Sequence, residues 1–241
     1  MARKIKVDSA ILKRLKRKEK KEEIEFLKIR IFILVVCEGS KTEPNYFNAI
    51  KIGLPKNVLE TVQVEIIGTG ANTLTVVDRA EKEVEKADRV RNRKFDEVWV
   101  VIDRDSFPPE HFNNAIFRCQ GLGYGCAWSN EAFELWYVLH FQYRNTPMSR
   151  DDYKGVITNE INNRIAQVEN PSIRTFTYRK NNERMYALLQ EFGDEAFATN
   201  NANRLLANFH DTRYATHDPC TKIHELVQSL NALRESETEE E

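Results

Sequence analysis

Three acidic residues stand where two apolar runs end. Glu38 follows Ile31-Phe32-Ile33-Leu34-Val35-Val36-Cys37, and Asp103 and Asp105 follow Val98–Ile102. Runs of this kind read as buried strands, and in open α/β sheets the reactive crevice lies beyond the carboxyl ends of the strands. Side chains alternate along an extended chain, so Asp103 and Asp105 can share one side while Arg104 points away. Two carboxylates held that close repel one another unless a hard cation sits between them. Mg²⁺ commonly takes one or two carboxylates together with waters and phosphate oxygens. An ion of this type, Mg²⁺ or Mn²⁺, polarises a phosphodiester and lowers the pKa of a bound water. Glu38 is then expected to bind a second ion or to act as general acid or base. The expected catalytic residues are Glu38, Asp103 and Asp105, and the expected metal ligands are these three with Glu134.

Other residues near these positions carry two readings each. Glu134, flanked by Phe133, Leu135 and Trp136, is an extra ligand or a buried structural acid. Glu43 falls in the first turn of a helix, where the dipole favours a carboxylate. Lys41 is a phosphate contact or an exposed lysine, and Ser129 a phosphate contact or a helix cap. Tyr178, Arg179 and Lys180, with Arg174 nearby, form a basic and aromatic patch suited to nucleic acid or to a solvated helix edge. His210, His217, Cys220 and His224 raise a zinc site, but their spacing fits no firm rule and His224 lies on an apolar helix face. His224 is also a possible assistant in catalysis. Gly39-Ser40-Lys41-Thr42 ends like a phosphate-binding loop without the required G-x-x-x-x-G-K-[ST], so ATP hydrolysis has no support. A phosphatase of the haloacid-dehalogenase type would carry D-x-D after its first strand rather than after a later one.

The elements that must position these residues alternate. Strands are expected at 31–36, 62–67, 97–102 and 124–128. Helices are expected to begin near Glu43-Pro44 with Thr42 as cap, at Asn72 or Thr73, at Pro108-Pro109 and at Asn130, the last of these ending near Phe141. This order predicts an α/β fold with a parallel, Rossmann-like sheet covered on both faces. Beyond 145 the pattern turns helical, with 153–165, 182–192 and 202–209 as candidates and a last helix opened by Asp218-Pro219. The expected organisation is a basic arm at 1–29, an α/β core at 30–145, a helical extension packed on it at 146–234, and an acidic tail at 235–241. Residues 1–30 hold twelve Lys/Arg against five Asp/Glu, while the last eleven hold five Glu against Arg234, inside a net charge of −1. A basic arm suits a phosphate backbone or an acidic partner, or is simply a solvated terminus. Four cysteines without a C-x-x-C pair read as reduced, buried thiols. No apolar run approaches the roughly 18–20 residues that cross a bilayer. No signal peptide is visible either, so no membrane association and a cytoplasmic location are expected.

Taken together, Val35-Val36-Cys37-Glu38-Gly39 and Val98–Ile102 leading into Asp103-Arg104-Asp105 resemble the TOPRIM catalytic domain, with its acid-Gly turn after the first strand and D-x-D after a later one. More narrowly, three segments resemble the RloB-like family: Cys37-Glu38-Gly39-Ser40-Lys41-Thr42-Glu43-Pro44-Asn45-Tyr46-Phe47, Ser129-Asn130-Glu131-Ala132-Phe133-Glu134-Leu135-Trp136 and Asp218-Pro219-Cys220-Thr221-Lys222-Ile223-His224. Glu131 and Asp218 depart from the Pro and Asn of that pattern. The resemblance spans about 30–230. It implies a TOPRIM-like core and a metal-dependent nuclease acting on DNA or RNA, encoded beside an ATPase partner and serving in defence against phage. A non-catalytic partner of such an ATPase, regulatory or nucleic-acid-binding, is the alternative. A topoisomerase would need a separate tyrosine-bearing region and a primase a zinc module, and neither is recognisable.

Overall fold

The computed structural model of the chain describes residues 13–14, 16–18, 30–70, 73–105 and 108–234. The basic arm therefore lies outside the described residues except for 13–14 and 16–18, which are helical, and the acidic tail lies outside them altogether. Asn72, one of the two candidate starts of the second helix, is outside them as well.

The first apolar run forms strand β1 (Ile31–Cys37), and every residue from Phe32 to Cys37 is buried. The others are β2 (Val62–Gly68), β3 (Glu97–Asp103), β4 (Gly125–Asn130) and the short β5 (Cys220–Thr221). They make one sheet in the order β2-β1-β3-β4-β5, parallel except for β5, which runs antiparallel to β4. The chain leaves β1 through helix α1 (Thr42–Ile52) and the short α2 (Lys56–Thr61) to reach β2 on one side. It then crosses through α3 (Thr73–Arg91) to β3 on the other side. Right-handed crossovers in opposite directions put their helices on opposite faces of a sheet. Accordingly α3 packs on β1 and β3 together with α4 (Pro109–Leu122), while α1 shares its side with the last helix, α9 (Ile223–Ala232). The chain reverses direction between β1 and β3, so the loops that leave those two strands part and open a crevice there.

The remainder is helical: α5 (Glu134–Leu139), α6 (Arg150–Ile165), α7 (Met185–Phe192) and α8 (Glu195–Leu206). All six residues of α5 are buried, and α6 and α8 both pack against it. No described helix is long and apolar enough to cross a membrane.

Four expectations need correction. The helix expected from Asn130 begins at Glu134, because Ser129 and Asn130 still pair with β5. Asp218-Pro219 does not open the last helix. Cys220 and Thr221 are drawn into the sheet, where the Lys222 amide bonds the Trp128 carbonyl at 2.8 Å, and α9 starts at Ile223. The segment expected at 202–209 belongs to a helix that starts at Glu195, capped where the Asp194 carboxylate accepts the Phe197 amide at 2.8 Å. Thr42 does not cap α1 but is its first residue, with Lys41 in the cap position.

Candidate functional site

Glu38 is the first residue past β1, and its own amide extends the β1–β3 ladder by bonding the Val101 carbonyl at 2.9 Å. Its carboxylate is fixed at both oxygens. Oε2 accepts the Asp103 amide at 3.0 Å and Oε1 accepts the Thr73 hydroxyl at 3.2 Å. The turn behind it is propped by Thr69, whose amide and hydroxyl both reach the Cys37 carbonyl, at 3.0 and 3.1 Å. The acid at the end of one strand is thereby tied to the acid at the end of the other, 65 residues away.

Gly39 is closely covered: a Cβ on this residue would run into the Glu43 carboxylate, which folds back from the first turn of α1 onto the turn after β1 and would have to shift. Glu43 is thus a buried acid of the site, and the helix-dipole reading of it was incomplete.

Asp103, the last residue of β3, is 8% exposed and pairs in register with Ser129. Asp105 takes a positive φ of 41° two residues later and remains partly exposed. Between them stands Arg150, the first residue of α6, with Nη2 3.5 Å from Asp103 Oδ2 and Nη1 3.4 Å from Asp105 Oδ2. Arg150 is aimed by the helix it opens. Ser149 and Asp152 form a reciprocal capping box, in which each side chain receives the other residue's backbone amide. With Gly39, Ser40, Lys41, Thr42, Gly70, Lys180 and Asn181, the acids Glu38, Glu43, Asp103 and Asp105 and the cation Arg150 line a cleft of about 410 Å³. Lys180 and Asn181 belong to a strap between α6 and α7 that is pinned to α1 where Thr42 Oγ1 donates to Asn181 Oδ1 at 3.3 Å.

Glu134 is brought into electrostatic reach of Asp103 and Glu43, but it does not line the cleft. It is buried behind them and accepts the Tyr178 hydroxyl at 2.8 Å. Tyr178 therefore belongs to the interior, apart from the surface patch in which the sequence placed it. Ser129 is neither a cap nor a cleft residue, because its hydroxyl is fully buried against Thr221 Oγ1 at 2.8 Å. His224 pairs with Asn203 at 3.1 Å and His217 with Asp211 at 3.0 Å, both with partners outside the cleft.

The crowding of acids shows in their protonation. Burial pushes Glu38 up to about 7, against the bonds from Asp103 and Thr73 and with further help from Glu43 and Asp105. Burial also raises Asp103, reinforced by Glu43 and Glu134 and opposed by Arg150. Glu43 is raised by burial too, with Glu134 adding to the shift and Lys180 opposing it.

The donor set is made of hard carboxylate oxygens, the kind that Mg²⁺ and Mn²⁺ prefer. Buried Asp103 Oδ1 has no hydrogen-bond partner, an acceptor left open inside an anionic cleft. These residues suit a divalent cation in chemistry and in charge. As they are arranged, no three His, Cys, Asp or Glu side chains among the described residues stand close enough together to hold one.

Glu43, Arg150, Thr73 and Asn181 join the site without having been singled out for it by the sequence. The Ser149-Arg150-Asp151-Asp152 pattern announces a capped helix start, which alone could have flagged Arg150. A family model described as RloB-like protein matches residues 33–230. No curated protein and no solved structure matches the chain.

Proposed function

The chain belongs to the RloB-like protein family, and from that premise we propose that it is a divalent-metal-dependent nuclease that cleaves phosphodiester bonds of DNA or RNA. The observation that carries the proposal is the hydrogen bond from the Asp103 amide to Glu38 Oε2, which locks the strand-end acids of β1 and β3 into one cleft at the point where the sheet reverses. Asp103 and Asp105 would hold Mg²⁺ or Mn²⁺, with Asp103 Oδ1 the oxygen still open to it. The ion would polarise the scissile phosphate and make a bound water nucleophilic.

The remaining work falls to the chain itself. Glu38, oriented by Thr73 and the Asp103 amide, keeps a lone pair on each oxygen to accept a ligand or a proton. Its raised pKa suits proton exchange near neutrality. Lys41 and Lys180 put positive charge on the cleft wall, where a polyanionic backbone would enter. Glu134 supports Asp103 from behind and is the candidate further ligand.

The biological setting that best fits the family is anti-phage defence alongside a companion ATPase. That division of labour suits a chain with an acidic cleft and no phosphate-binding loop. A second reading, a non-catalytic partner of the ATPase, draws on the ion pairs by which Arg150 already neutralises two of the acids.

One assay separates the two readings. Wild type, Glu38→Ala and Asp103→Ala are incubated with DNA and with RNA, with and without Mn²⁺ and the companion ATPase. Cleavage by wild type that needs Mn²⁺ and falls about 10²-fold or more in both variants supports the nuclease. Equal behaviour of all three proteins removes it.

A further inference from the structure

The acids of the cleft are close in space yet not gathered around a common point, and Arg150 stands between two of them. Its geometry is poor for a structural ion pair. Both contacts are long, 3.4 and 3.5 Å, whereas a charge-assisted N–H···O bond is usually about 2.7–2.9 Å. Only Nη1 makes a hydrogen bond to a carboxylate, with Asp105. Nε and Nη2 of the same guanidinium are buried without a hydrogen-bond partner, and so is Oδ1 of Asp103. One crevice thus holds donors without an acceptor and an acceptor without a donor. Buried polar groups left so are costly, and a site built for permanent closure would pair them.

We propose that Arg150 is an exchangeable counter-ion: it holds Asp103 and Asp105 apart in the metal-free protein, and a divalent cation displaces it. The inference rests on the nuclease reading of the same cleft. It supplies a physical reason why three ligands are not already assembled. A monovalent cation on a long side chain neutralises part of the cluster but does not draw the acids to one centre, as a small divalent ion does. It also gives the displaced guanidinium an occupation, since its planar fork of N–H donors suits the phosphodiester that the ion would bring in. Arg150 opens α6, so its backbone is anchored by the capping box while its side chain remains 31% exposed.

The test is Mn²⁺ binding, followed by electron paramagnetic resonance of the free ion and by the rise in Tm on adding Mn²⁺, for the full chain and its Arg150→Gln and Arg150→Lys variants. The Arg150–Asp105 pair is partly exposed, and an ion pair of that kind contributes up to about 1 kcal/mol, so removing the competitor should tighten Mn²⁺ binding up to about fivefold in Arg150→Gln. Arg150→Lys, which keeps the charge, should stay near wild type and reports on folding. Arg150→Gln should also melt below wild type without Mn²⁺ and regain more Tm when it is added. Binding that is equal or weaker in Arg150→Gln overturns the counter-ion role while leaving a metal site in place. Failure of all three proteins to bind Mn²⁺ overturns both the role and the nuclease reading.

Discussion

At Glu134 a buried carboxylate meets a neutral donor, the Tyr178 hydroxyl at 2.8 Å, with Asp103 and Glu43 near enough to repel it. Burial, followed by that same carboxylate, holds the Tyr178 hydroxyl well above its usual pKa, so it remains a donor at every working pH. Taking the hydroxyl away leaves a buried carboxyl group without its bond, and an unsatisfied buried group costs about 1–3 kcal/mol. Tyr178→Phe should therefore lose unfolding free energy in that range, read from its shifted urea transition. Combining it with Glu134→Gln should cost less than the sum of the single losses, because both changes disturb the same hydrogen bond. A double-mutant cycle by urea denaturation measures the difference, and strict additivity would mean the two side chains do not act together. The residues that the sequence named for chemistry, Glu38, Asp103 and Asp105, could be named because each follows an apolar run at a place where polar groups cluster. Thr73 and Asn181 could not, since nothing local distinguishes a threonine at a helix start from one that also bonds a carboxylate 35 residues away.

Among the elements, the strands were legible in proportion to their burial. β1 and β3 announce themselves as apolar runs rich in β-branched residues, because both faces are covered along nearly all of β1 and the second half of β3, which removes the alternation a half-exposed strand would show. β5 is two residues long and exists only because the free edge of β4 is there to pair with it, information that its own sequence does not carry. The start of α5 is hidden for a related reason: the polar Ser129-Asn130-Glu131 stretch looks like a cap, yet tertiary pairing keeps its first two residues in the sheet. Where an element ends on a local device, the device can be tested. The capping box at Ser149 fixes the first turn of α6 and with it the backbone of Arg150. Losing a Ser cap typically costs about 1 kcal/mol. Ser149→Ala should lower the unfolding free energy by that amount, through a lower urea midpoint with the slope of unfolding unchanged. Ser149→Asp, which keeps a capping oxygen, should recover most of the loss, and a full loss in both variants would show that the cap does not hold this turn.

At the scale of the molecule, the sheet and the helical region are joined by α5, and His140 lies at that joint. Its ring is 1% exposed, Nδ1–H donates to the Trp136 carbonyl at 2.9 Å, and Nε2 has no partner. The His140 carbonyl in turn accepts the Asp194 amide ahead of α8, so the residue ties α5 to the helices around it. Burial lowers its pKa from 6.5 to about 4, against the carbonyl bond and the nearby Asp194 carboxylate, because protonation would place a charge and an unmatched N–H in an apolar interior. The unfolded chain therefore binds more protons than the folded one between pH 6.5 and 4, and stability falls as the pH is lowered through that window. By pH 4 the loss from this one group is on the order of 3 kcal/mol. The raised acids of the cleft, Glu38 and Asp103, act in the opposite direction, since their folded forms take up protons more readily and gain stability as the pH falls. They do so equally in wild type and in His140→Leu, so the difference between these two proteins isolates the histidine. Urea denaturation from pH 7.5 to pH 4 should show wild type losing about 3 kcal/mol more than His140→Leu, with the gap opening below pH 6.5. Parallel curves for the two proteins would mean that the ring takes its proton without disturbing the joint between sheet and helices.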